Sequence, residues 1–132
     1  MRVNQIRGIE VSTAEKLVEA GIATAEALLE AGKTPAGRRD LAAKAGVDAK
    51  EILELVNRAD LARVRGIGEV YSNLLENAGV DTVVELSRRV PANLHARLVE
   101  QTLAGDARRA PTLVQVENWV KQAKELDRMI EY

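Results

Sequence analysis

The chain repeats itself, and the repeat constrains its fold more than any other feature. Ile6-Arg7-Gly8-Ile9 returns as Val64-Arg65-Gly66-Ile67, and Ala20-Gly21-Ile22 returns as Ala78-Gly79-Val80. Leu17, Thr24 and Leu28 pair with Leu75, Thr82 and Leu86 at the same offset of 58 residues, without a gap. Further along the register slips, yet Leu55-Val56 and Ala59 are echoed by Trp119-Val120 and Ala123. Self-similarity of this length marks two copies of one supersecondary unit. We divide the chain into residues 1–63 and 64–132. A unit of about 60 residues buries little surface alone, so the two are expected to pack as one body.

Each copy reads as helical. Ser12 with Glu15, Asp48 with Glu51 and Thr82 with Glu85 have the spacing of a capping box. Gly21, Gly32, Gly46 and Gly79 follow apolar-periodic stretches, where a left-handed residue closes a helix. Pro35, Pro91 and Pro111 stand at helix starts, where a missing N–H costs little. Ile52, Leu55, Val56 and Ala59 share one helical face, as do Val116, Trp119, Val120 and Ala123. No period-two stretch is long enough to compete as a strand. The expectation is all-α, with helices at residues 12–20, 25–31, 35–45 and 49–62, then 69–78, 83–89, 92–103 and 112–130. A loop is expected around Gly105 to Ala110. Aromatics make up 2% of the chain and Phe is absent, so the core falls to aliphatic residues. Leu17, Leu28, Ile52, Val56, Leu75, Leu86, Val116 and Trp119 are its expected members.

Composition removes several functions. With no cysteine, the chain has no disulfide scaffold, no thiolate zinc or iron–sulfur site and no thiol nucleophile. His95 is the single histidine and is expected to hydrogen-bond within the fold. Ser12, Ser72 and Ser87 have no histidine placed beside them by any motif, and the carboxylates are spread along helices. Neither a phosphate-binding P-loop nor a dinucleotide fingerprint occurs. The chain is therefore expected to be no enzyme and to use no metal, no cofactor and no catalytic residue. Residues 1–7 lack the apolar stretch of a signal peptide, and no run approaches the roughly 20 apolar residues of a membrane span. A soluble cytoplasmic protein without membrane contact is expected. Nineteen basic residues face twenty acidic ones, so only a local patch could serve a nucleic acid.

The most informative motif is Leu61-Ala62-Arg63-Val64-Arg65-Gly66-Ile67-Gly68, followed by a helix. Its glycines let the backbone turn tightly and come close to a phosphate, and the N–H groups at the next helix start face that anion. Ile67 anchors the turn between two helices. Such a device reads backbone rather than base sequence. The pattern resembles the helix-hairpin-helix class. The wider run of Ile6, Gly8-Ile9, Lys16-Leu17, Glu19-Ala20-Gly21-Ile22 and Thr24 is similar to the small helical N-terminal domain of RadA-type recombinases. The chain as a whole resembles the family catalogued as domain of unknown function 4332. That resemblance is carried by Gly66-Ile67-Gly68 with Tyr71, Ala78-Gly79-Val80-Asp81-Thr82-Val83, Asn93-Leu94-His95-Ala96-Arg97-Leu98 and Trp119-Val120-Lys121-Gln122-Ala123-Lys124. It implies two tandem helix-hairpin-helix (SAM-like) units packed as one body, and it implies no activity.

The candidate anion or nucleic-acid site is Gly66, Ile67 and Gly68 with Arg63 and Arg65 supplying charge. Two departures weigh against a phosphate clamp. The first copy reads Gly8-Ile9-Glu10, with an acid where bare backbone is wanted. In the second, Gly66 to Ser87 holds Glu69, Glu76, Asp81 and Glu85 and no base. An anion is thus expected to prefer the second turn, and the first to be structural. Either turn also fits a compact connector that binds nothing. The doublets Arg38-Arg39, Arg88-Arg89 and Arg108-Arg109 are expected at solvated helix ends. Trp119 is expected in the core or between the copies, and Tyr71 beneath the turn or facing the same phosphate. Two functions stay open for this non-enzymatic binding module. One is sequence-independent binding of a DNA or RNA backbone through the second turn. The other is a protein-interaction or scaffold role that kept the fold without the clamp.

Overall fold

The computed structural model describes residues 1–105 and 108–132; Asp106 and Ala107, inside the expected Gly105–Ala110 loop, lie outside them. The fold is all-α. After a 3₁₀ turn at Val3–Gln5 come α1 (Val11–Glu19), α2 (Ala25–Gly32), α3 (Pro35–Ala45) and α4 (Ala49–Leu61). Then follow α5 (Glu69–Asn77), α6 (Val83–Ser87), α7 (Pro91–Leu103) and α8 (Leu113–Glu125). The chain forms two compact units: Met1–Asp60 joined by Met129–Tyr132, and Leu61–Arg128. Among the described residues no helix is long and apolar enough to cross a membrane.

In the first unit side-chain oxygens set the starts of α2, α3 and α4. Thr24 accepts the Ala27 N–H at 3.1 Å to open α2, and Thr34 accepts that of Gly37 at 3.0 Å to open α3, where Pro35 takes the first position. Each cap satisfies a donor that the helix leaves orphaned and contributes about 1 kcal/mol. The Asp48 carboxylate accepts the Lys50 N–H at 2.8 Å at the start of α4. Ser12 is no cap: α1 begins one residue earlier, with Glu10 in the cap position and no side-chain bond. Leu17, Leu28, Ile52 and Val56 are fully buried together with Val3, and Ile6 is buried beside them. Gly21, Gly46 and Gly79 do have positive φ. Gly32 does not, and instead belongs to α2, where a Cβ would lie 2.5 Å from Val56 Cγ2. It is a glycine because α4 packs too close for any side chain.

The last residues correct the expected 112–130 helix. α8 ends at Glu125, and the chain leaves Leu126 in extended conformation. Met129–Tyr132 then belongs to the first unit. Ile130 is buried there, and the Glu131 N–H donates to Lys33 O at 2.7 Å. Arg38 holds this strap: its Nη1 donates to Gly32 O and its Nη2 to Glu131 O, both at 2.9 Å, and Tyr132 lies over the guanidinium. Arg38 is therefore buried, not the solvated helix end expected of that doublet.

In the second unit Thr82 opens α6 by accepting the Glu85 N–H. Glu85 does not complete the box; its carboxylate turns to Arg89 at 3.1 Å. Thr112 and Gln115 do form a reciprocal capping box on α8. Leu75, Leu86, Val116 and Trp119 are buried in one cluster with Leu61, Val64 and Ile67. Each fully buried aliphatic side chain stabilises the unit by about 1.5–3 kcal/mol.

Candidate functional site

The two glycine turns are built alike. In the first unit the Ile6 N–H donates to Val3 O at 3.3 Å and the Ile9 N–H to Ile6 O at 3.2 Å. In the second the Val64 N–H donates to Leu61 O at 3.1 Å and the Ile67 N–H to Val64 O at 3.2 Å. Gly8 and Gly66 stand next in line with φ of +82° and +96°, a region that side chains with Cβ rarely adopt.

Each turn is held from the last helix of its own unit. Arg58 Nη1 donates to Arg7 O. At the matching place, Gln122 Nε2 donates to Arg65 O at 3.0 Å, while its Oε1 accepts the Arg65 N–H at 2.9 Å. Arg58 and Gln122 occupy the same register as Leu55/Trp119 and Ala59/Ala123, so the slipped half of the repeat performs one task in both units. Neither residue stood out in the sequence; their shared offset was the signal available.

The predicted site residues are thus only partly gathered. Gly66, Ile67 and Gly68 form the turn, with Ile67 buried as its anchor. A Cβ on Gly66 would lie 2.9 Å from Trp119 Nε1, whereas one on Gly68 would meet nothing within 4 Å. The first glycine is thus required by packing, and the second leaves backbone open at the N-cap of α5, which carries no side-chain cap. Arg65 is exposed beside it. Arg63 turns away, its Nη2 donating to Asp127 O at 2.9 Å. Glu69 occupies the first position of α5, so an acidic residue follows the open backbone directly. Glu10 is the N-cap at the equivalent place in the first unit. Tyr71 packs against Trp119 with ring centroids 5.2 Å apart and planes tilted by 55°. His95 Nε2 lies 3.1 Å from Pro111 O, a hydrogen bond within the second unit.

A second feature was hidden in the sequence. Val11, Ala14 and Val18 share one face of α1. Ala14 is buried, but Val11 is 76% and Val18 52% exposed. They line an open groove of about 810 Å³ with Val3, Ile9 and Ala23. The charged residues along it are Glu10, Glu15 and Glu19 against Arg2 alone. Its spacing matches that of a core-facing helix, so only the structure distinguishes the two.

Fold and site together define an all-helical protein of two units, each with a glycine turn fastened to its own last helix. Residues 7–126 match the family described as Domain of unknown function (DUF4332), and the chain belongs to that family. No curated protein and no solved structure matches it.

Proposed function

We propose that this chain is a non-enzymatic interaction module whose first unit receives an amphipathic, basic segment of a protein partner. The observation that carries this reading is the pair of exposed valines on the α1 groove. Val11 and Val18 stand one above the other on the same face of α1 and add exposed apolar surface to a groove, the local arrangement that an apolar stripe on a partner can cover. The acidic rim sets the partner's chemistry, since Glu10, Glu15 and Glu19 attract lysines and arginines flanking an apolar stripe. The test is a titration of the full chain with a synthetic leucine–lysine amphipathic helix, followed by amide chemical shifts. Saturable shifts at residues 2–4 and 9–19 are expected, weakened in Val11→Ser/Val18→Ser. Their absence, or their survival in that variant, overturns the reading.

A second reading is favoured by the open backbone at Gly68 beside exposed Arg65: sequence-independent contact with a nucleic-acid backbone through a helix-hairpin-helix turn at Gly66-Ile67-Gly68. Its opponents are Glu69 at the helix start and Arg63 held by Asp127 O. A duplex titration should shift residues 65–69 more than 7–11, and Gly68→Glu should abolish those shifts. Equal shifts at both turns, or none, remove this reading.

A further inference from the structure

The second unit carries a basic cleft that neither reading uses. It encloses about 580 Å³ between the end of α6 and the start of α7. Arg88, Arg89, Asn93 and Arg97 line it over a floor that includes Ala78 and Leu94, and no acidic residue is among its lining. The backbone explains why these side chains converge. Arg88 is the C-cap of α6, and Pro91 begins α7 two residues after Arg89. Asn93 and Arg97 are four apart on α7 and so lie on one face.

The arginines differ in freedom. Arg89 is fixed, its Nη2 donating to Gly79 O at 3.2 Å and pairing with Glu85 at 3.1 Å. Arg88, Asn93 and Arg97 are exposed, and among the described residues none of their side chains has a hydrogen-bond or ion-pair partner. Like charges gathered in one concavity repel until an anion enters. Guanidinium forks match the oxygens of a phosphate, which can take two of them at once. The volume exceeds that of a lone phosphate and lies in the usual range of small-ligand pockets, roughly 300–1,000 Å³.

We propose that this cleft binds the phosphate group of a nucleotide-sized ligand, with Arg88 and Arg97 closing on its oxygens, Asn93 adding a hydrogen bond and Arg89 as the preset wall. The chemistry is the same whether that group belongs to a free diphosphate or to a nucleic-acid strand. The site is separate from the Gly66–Gly68 turn: Gly68 caps one end of α5 and Ala78 the other, about 15 Å apart at 1.5 Å per residue.

The full chain is titrated with sodium pyrophosphate and, in parallel, with a single-stranded oligodeoxythymidylate, at constant ionic strength. Amide and arginine side-chain shifts are followed. Saturable shifts at residues 88–97 are expected with at least one probe. Pyrophosphate alone identifies a soluble ligand; the oligonucleotide alone identifies a strand. Arg88→Ala and Arg97→Ala should each weaken binding about tenfold, since each removes a charge-assisted contact, whereas Lys44→Ala on α3 should leave it unchanged. Both arginines are exposed, so folding is preserved, and Trp119 emission checks it. Shifts that stay linear with both probes overturn the proposal, as does saturation unchanged in Arg97→Ala.

Discussion

Gly66→Ala and Gly68→Ala alter two glycines of one motif and should differ severalfold in cost. At Gly66 the new Cβ meets two penalties. The φ of +96° is outside the range of L-residues, which costs about 1–2 kcal/mol. The Cβ also stands 2.9 Å from Trp119 Nε1, and the ring is buried on a helix, so it cannot step aside as a flexible side-chain end could. Overpacking of this kind adds about 1–3 kcal/mol. The two sum to about 2–5 kcal/mol. At Gly68 φ is −105° and the space is open, so only the preference of an N-cap for glycine over alanine remains, about 0.5–1 kcal/mol. Gly8→Ala falls between: φ is +82°, but Arg58 Nη1 lies at an ordinary 3.5 Å, leaving the conformational cost of about 1–2 kcal/mol. Urea unfolding of the second unit can be followed by the emission of Trp119, the single tryptophan. With an m-value of about 1–2 kcal/mol/M, Gly66→Ala should lower the midpoint by about 2 M and Gly68→Ala by less than about 1 M. Equal midpoints for the two variants would refute the assignment of Gly66 to packing.

Three further outcomes follow from the contacts. Gln122→Ala should cost about 1 kcal/mol through the lost pair of bonds to Arg65, while Gln122→Arg should recover part of it, because Arg58 holds the equivalent carbonyl in the first unit; urea midpoints of the two variants decide. Ile130→Ala should lower the stability of the first unit by about 2–4 kcal/mol and speed hydrogen exchange at the Glu131 amide, which is bonded to Lys33 O; unchanged exchange would mean that the strap is not held by its apolar anchor. The Glu26 carboxyl is held below its ordinary value, first by a backbone hydrogen bond at the start of α2 and then by the Met1 ammonium at 3.1 Å. A depressed folded-state pKa contributes stability above the unfolded value and loses it as pH falls through the folded one. Glu26→Gln should therefore lower the melting temperature slightly at neutral pH, with the gap to the parent narrowing as pH falls below the ordinary carboxylate range; a gap that widened in acid would contradict this.

Local chemistry in the sequence determined the helical class, the repeat and most helix starts. Prolines at 35 and 91 and the threonine cap at 82 act within one turn of chain, so their effect is legible without a partner. The eight expected core residues are buried for a similar reason: their periodicity leaves one face of each helix to cover. Long-range contacts decided the rest. Gly32 reads as a helix stop because glycine serves two purposes, and only the approach of Val56 selects the second. Met129 and Ile130 continue the apolar period of α8, yet their burial lies with the first unit, in reach of Arg38. Arg63 and Arg65 look equivalent beside the turn; the Asp127 carbonyl engages one and leaves the other exposed. The α1 groove and the arginine cleft are concavities, formed by residues separated along the chain. A one-dimensional pattern records which residues are apolar or charged, but not which of them the packed helices leave uncovered.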